Sequence, residues 1–202
     1  SSDATGVYNA YALPAVGGDP SALTNSTTTA TYAVSYFPND GRILYSTDGG
    51  GDELTHIYLR TEDGQTRDLT PGERVKAGFA GWRSDGAVFY VTTNERNPQM
   101  FDLYSYDATT FARKLVFENS DYFVQAVSPD SKWLALTKEN SSADSDIYLA
   151  DLTKPAKQTP VLITPNDAVI AYGAYDFTPD SKQLVYSTDE FGEFNQAWTY
   201  AL

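Results

Sequence analysis

Four stretches decide the fold: Phe37-Pro-Asn-Asp-Gly-Arg-Ile-Leu-Tyr45, Trp82-Arg-Ser-Asp-Gly-Ala-Val-Phe-Tyr90, Val127-Ser-Pro-Asp-Ser-Lys-Trp-Leu-Ala135 and Phe177-Thr-Pro-Asp-Ser-Lys-Gln-Leu-Val185. Each is an apolar anchor, an Asp-Gly or Asp-Ser turn, and a run with strand character. The turn aspartates Asp40, Asp85, Asp130 and Asp180 are 45, 45 and 50 residues apart. Four residues beyond each stands a large apolar side chain, Leu44, Phe89, Leu134 or Leu184, the spacing of one core position repeated.

A second series keeps the same period. Asn9-Ala-Tyr-Ala, His56-Ile-Tyr-Leu, Asp102-Leu-Tyr-Ser, Asp146-Ile-Tyr-Leu and Gln196-Ala-Trp-Thr place Tyr11, Tyr58, Tyr104, Tyr148 and Trp198 at intervals of 47, 46, 44 and 50. One period holds four short strands, for example Lys76 to Trp82, Ala87 to Thr92, Phe101 to Tyr106 and Lys114 to Phe117. Four strands in that length is the pattern of a β-propeller blade, and a sandwich would not carry so regular a repeat. The turn pairs recur for a mechanical reason. Gly, Asp and Ser tolerate positive φ or bond their own backbone at least cost, so the carboxylates read as turn residues and not as ligands.

The expected fold is therefore all-β: four-stranded antiparallel blades, about four of them, forming a partial, open arc of a larger propeller. The chain reads as one propeller segment, 1–202, with a partial blade at 1–29, blades at 30–73, 74–119 and 120–166, and an incomplete blade at 167–202. In this reading the first strands run from Val7 to Leu13 and from Ala22 to Thr24, and the strands come in groups of two, four, four, four and three. Such an arc exposes blade edges, so self-association through them is expected.

Composition excludes several functions. There is no cysteine, hence no disulfide, thiol nucleophile or cysteine-ligated metal. A net charge of −13 repels nucleic acid and anionic membranes, and no apolar run is long enough to span a bilayer. No two of the 14 glycines stand four apart, so the Gly-x-Ser-x-Gly element of α/β-hydrolases is absent. The one histidine, His56, opens a third strand where other copies carry Asn9, Asp102, Asp146 and Gln196, which marks a polar strand-end residue. The loop Asp48-Gly-Gly-Gly-Asp-Glu53 lacks the ligand spacing of a calcium loop and precedes no helix, so neither a metal nor a cofactor is expected. Lack of cysteine and an acidic balance suit a periplasmic or secreted protein, and a cytosolic one too.

The connections between second and third strands, Asp48 to Thr55, Thr93 to Met100, Glu139 to Ser145 and Asp189 to Asn195, read as long loops. They gather on one face with blade-to-blade links such as Thr70 to Arg74. Loops held by a rigid scaffold are where binding resides, which makes Glu53, Glu95, Arg96, Glu139 and Glu193 the candidate substrate-binding residues, with no catalytic residue in the chain.

The longer strings carry a resemblance. Ser128-Pro-Asp-Ser131, Thr178-Pro-Asp-Ser181, Asp146-Ile-Tyr-Leu149, Asp68-Leu-Thr-Pro-Gly-Glu73, Phe79-Ala-Gly-Trp82, Thr93-Asn-Glu-Arg96 and Tyr186-Ser-Thr-Asp-Glu-Phe-Gly-Glu-Phe194 resemble the TolB-like propeller of prolyl oligopeptidase family serine peptidases. The resemblance implies a non-catalytic part that gates and orients peptide substrates for a separate α/β-hydrolase domain missing from these residues. No catalytic serine, aspartate or histidine can be carried over, and no Glu-Glu pair for a substrate amine is found. The competing reading is a free-standing TolB-like protein-interaction module.

Overall fold

A computed structural model describes residues 1–202 and contains strands and turns but no helix. The first sheet pairs β1 (Tyr11–Ala12) with β2 (Ser21–Ala22), and the second runs β3 (Thr31–Tyr36), β4 (Ile43–Thr47), β5 (His56–Arg60), β6 (Thr66–Asp68). The third is β7 (Ala77–Trp82), β8 (Val88–Asn97), β9 (Met100–Asp107), β10 (Arg113–Phe117). The fourth is β11 (Phe123–Val127), β12 (Trp133–Ser141), β13 (Asp144–Asp151), β14 (Val161–Leu162), and the last is β15 (Tyr172–Phe177), β16 (Gln183–Thr188), β17 (Gln196–Ala201). Every sheet is a meander in chain order, and the expected grouping of two, four, four, four and three is what the structure contains. Residues pack into two compact units, Ser1–Phe79 with Thr93–Pro98, and Ala80–Thr92 with Gln99–Leu202.

Why meanders stack is clearest in the second unit. Along β12 and β13 successive side chains alternate between faces, and both faces are buried. Leu134, Leu136 and Ala150 share one core with Tyr90, Leu103 and Phe117. Ala135, Ile147 and Leu149 share the next with Tyr172, Ala174 and Leu184. Each large side chain buried this way contributes about 1.5–3 kcal/mol. In the first unit Ala10, Ile43 and Tyr45 form a smaller core with Leu23 and Tyr58 against it. β17 differs: all six of its residues are exposed, Trp198 at 41% and Tyr200 at 37%.

The first hairpin of three sheets closes through the same two bonds. Arg83, Ser128 and Thr178 each donate their N–H to the carbonyl five residues on (Val88, Trp133, Gln183; 2.8–2.9 Å), and Gly86, Ser131 and Ser181 donate back to them at 2.8 Å. The left-handed position falls on Gly86, Ser131 and Ser181, at φ of 69°, 64° and 58°. Asp85, Asp130 and Asp180 each accept the amide two residues on, at 2.9, 3.1 and 3.2 Å, which is the bond that makes aspartate useful in a turn.

The first copy departs from this pattern. Its closing bond, Phe37 N–H to Arg42 at 2.9 Å, aligns Asn39 rather than Asp40 with the other turn aspartates, and neither Asp40 nor Gly41 uses positive φ. The register agrees: Tyr45 pairs with Tyr58 as Leu136 pairs with Tyr148 and Tyr186 with Trp198. Ile43, not Leu44, is thus the counterpart of Leu134 and Leu184. Both faces of β4 are buried, Ile43 at 2% exposure and Leu44 at 0%, so apolarity could not mark the face.

Two other expectations need correction. In the first sheet the strands shrink to two residues each, with one further bridge between Ser2 and Asn9, because Pro14, Gly17, Gly18 and Pro20 interrupt the ladder. Thr93 to Met100 and Glu139 to Ser145 are not long loops. β8–β9 and β12–β13 continue as ribbons to tight turns, with Glu139 paired to Ser145, because the backbone ladder persists where side chains are solvated.

The turn carboxylates give the fold an acid limit. Arg42 and Arg83 hold Asp40 and Asp85 below the ordinary carboxylate range, and the Thr178 hydroxyl does so for Asp180. Burial pushes Asp130 up, but the Ser128 hydroxyl and the Lys132 amide more than offset it. A carboxyl depressed in the folded state stabilises it above the unfolded value, about 3.9, and that contribution fades as pH falls through the folded value. Replacing Asp130 and Asp180 by Asn should lower the melting temperature near neutral pH, where the depressed carboxylates stabilise the fold, and flatten its decline below about pH 4. A thermal-melt series against pH checks this; an equally steep decline in the double variant would refute it.

Candidate functional site

A polar residue at or near the start of four of the third strands ties that strand to the segment that follows it. Asn9 accepts the Thr24 hydroxyl at 3.0 Å and the Ser26 amide at 2.7 Å. His56 Nδ1 lies 2.8 Å from Asp68 Oδ2, and Asp68 accepts the Thr70 amide at 2.9 Å. Asp102, fully buried, accepts the Asn119 amide at 2.8 Å. Asp146 faces Thr164 and Asn166, each at 3.5 Å. One position therefore does the same work with four side chains, and the only imidazole is engaged in it.

A threonine completes the tie. Thr24, Thr70 and Thr164 accept the next third-strand amide (Ala10, Ile57, Ile147) at 2.9–3.0 Å. The sequence carries a signal for this in Leu23-Thr24, Leu69-Thr70, Phe117-Glu118 and Ile163-Thr164, spaced 46, 48 and 46. Threonine is so common near strand ends that the pattern escapes notice without the partner amides.

Each predicted binding residue stands at the second-to-third-strand connection of its own sheet. Glu53 and Glu193 lie in loops, as expected; Glu53 has φ 60° and stands 3.9 Å from Lys76. Glu95, Arg96 and Glu139 are instead exposed positions on the ribbons of β8 and β12, so they ride on paired backbone. Glu53, Glu95 and Arg96 belong to the first compact unit, Glu139 and Glu193 to the second. In the loop before Glu53, Asp48 accepts the amides of Gly50, Gly51 and Glu53, and Asp52 those of Gly49 and Leu54. Those carboxylates close the loop on itself, and no three acidic or histidine side chains converge as a metal cage would require.

Near the last connection the Tyr172 hydroxyl donates to Glu190 at 2.9 Å; burial first, then that carboxylate, pushes the phenol up to about 12. A cleft of about 400 Å³ sits beside the β8–β9 turn, walled by Met100, Phe101, Tyr122 and Phe123. At its rim Lys138 pairs with Asp121 at 2.7 Å and lies 5.9 Å over the Tyr122 ring. This arrangement can take up an apolar side chain and offer charge beside it.

Comparison with known proteins agrees with this geometry. Residues 19–174 match the family described as "Prolyl oligopeptidase, N-terminal beta-propeller domain". Dipeptidyl aminopeptidase BIII of Pseudoxanthomonas mexicana is 35% identical over 122 residues, which are 56% of this chain and 17% of that protein. An oligogalacturonate lyase solved in complex with manganese aligns at a TM-score of 0.72 and 16% identity, over 94% of this chain and 53% of its own. A putative TolB from Agrobacterium tumefaciens aligns at 0.63 and 18% identity, over 95% and 69%. At those identities the structures speak for the fold alone, which is a β-propeller. The family assignment rests on sequence: with most of its length matched, the chain belongs to the prolyl oligopeptidase family, as the N-terminal β-propeller domain.

Proposed function

We propose that this propeller admits and orients peptide substrates for the α/β-hydrolase domain of a serine peptidase, and does no bond-breaking itself. The observation that carries the reading is the family match over residues 19–174, joined to 35% identity with a dipeptidyl aminopeptidase. It is supported by chemistry: the single histidine is tied to Asp68, and no Gly-x-Ser-x-Gly is present. Glu53, Glu95, Arg96, Glu139 and Glu193 are the contact points for the charged parts of the peptide.

The experiment uses both the chain and a longer enzyme in which it is joined to a hydrolase domain. Residues 1–202 alone should release nothing from a dipeptidyl p-nitroanilide. In the longer enzyme, Glu139→Gln or Glu193→Gln should raise KM with kcat held, because uniform substrate binding is lost and not transition-state stabilisation. Turnover by the chain alone would refute the non-catalytic reading, and a KM unmoved in every variant of the five residues would favour a free-standing interaction module.

A further inference from the structure

Within the first compact unit, a cleft of about 420 Å³ opens between the Leu23–Ser26 segment and the second sheet. It is polar, lined by hydroxyls from Ser26, Thr31, Thr47 and Thr66, and it carries one charge of each sign, Arg60 and Asp48. We propose that this cleft binds a small zwitterion, namely a free dipeptide, with its carboxylate on Arg60 and its ammonium on Asp48. The proposal does not rest on the peptidase reading, since it concerns only groups inside this unit.

Charge favours such a guest. Arg60 sits in a chain of net charge −13, yet its guanidinium is paired with no carboxylate; its hydrogen bond goes to the Thr61 carbonyl at 3.2 Å. Asp48 is held ionised by the Gly51, Gly50 and Glu53 amides, which keep its carboxyl below the ordinary range. The two are not ion-paired with each other, so both charges remain for a guest. A simple anion would meet Asp48 and a simple cation Arg60; a molecule with both charges at its ends satisfies each.

The hydroxyl lining favours it as well. Thr31 is only 4% exposed, lines the cleft, and its hydroxyl makes no hydrogen bond within the protein. An unbonded hydroxyl open to the cleft can donate or accept a hydrogen bond with a guest. Thr66, paired with Arg60 across β5 and β6, and Tyr45 line the cleft beside it. Hydroxyls donate and accept, which suits a peptide unit, and the volume is more than one amino acid fills while lying in the usual range of small-molecule sites.

The test is a heteronuclear NMR titration of residues 1–202 with glycyl-serine, N-acetyl-glycyl-serine and glycyl-serine amide. Glycyl-serine should give saturable shifts at residues of the cleft below about 20 mM, and either capped form should bind about tenfold more weakly, the loss of one charge-assisted contact. Arg60→Gln should weaken glycyl-serine about tenfold and leave the amide unaffected, while Asp48→Asn should do the same and leave the acetylated form unaffected. Thr31→Val, near-isosteric, keeps the test open if a charge variant unfolds; it should weaken all three peptides alike. Absence of saturable shifts, or capped peptides binding as well as the free one, overturns the proposal.

Discussion

Phe89→Ala is expected to cost about 3–5 kcal/mol of folding free energy, the range for emptying an aromatic position in a packed core. Phe89 is fully buried on β8, with its ring 5.1 Å from Tyr106, stacked, and 5.2 Å from Trp82, tilted. Truncation removes the transferred area and leaves a void that rings on two neighbouring strands cannot both move to fill. A loss this large is comparable with the total stability of many domains, so the variant should be largely unfolded at temperatures where the parent is folded. Chemical denaturation checks it; a fall below about 1 kcal/mol would mean that the sheet relaxes into the space. Phe89→Leu should recover most of the loss, since the position asks for apolar volume more than for a ring.

The second large effect is expected at Asp102. Asp102→Ala strands the Asn119 amide, which is buried and otherwise satisfied by the carboxylate at 2.8 Å, and such an orphan costs about 1–3 kcal/mol. Asn119 in turn accepts the Tyr122 amide and donates to the Phe101 and Tyr122 carbonyls, so the link from β10 to β11 should loosen as one piece. Asp102→Asn keeps an acceptor in place and should cost less. Asn is also what the same position carries in the first sheet, at Asn9. Denaturant midpoints for the two variants, together with amide exchange at Asn119 and Tyr122, separate loss of the tie from general destabilisation. Equal midpoints for Ala and Asn would show that the carboxylate bond contributes nothing.

How far the sequence could be read depends on the kind of signal. The meander was legible because turn chemistry and core positions recur together: Asp85, Asp130 and Asp180 do the same bonding, and Phe89, Leu134 and Leu184 are all fully buried. The slip from Ile43 to Leu44 came where β4 buries both faces and alternation carries no direction. Reading Thr93–Asn97 and Glu139–Ser141 as loops followed side-chain polarity, whereas strand pairing is a backbone property and extends beyond the buried part. Placing Glu53, Glu95, Arg96, Glu139 and Glu193 at one kind of connection was possible from the repeat. The third-strand tie was half visible, in its polar residue near the strand start; its partners at Thr70 and Thr164 declare themselves only through the amides they accept.

The bulges in the opening strands have a consequence for how such a chain reaches its fold. β3, β11 and β15 each slip register once, between Ala33 and Ser35, Val124 and Ala126, and Ala174 and Asp176. Each is also the open edge of its sheet. A polypeptide that spells nearly the same hairpin four times risks knitting copies of itself together, one meander zipping onto the rim of another. A misplaced residue in each of these three rims spoils that zip, since a bulged edge offers no straight row of donors and acceptors to a stranger. The interruption that looks like a flaw in each ladder keeps the repeats separate enough to remain repeats.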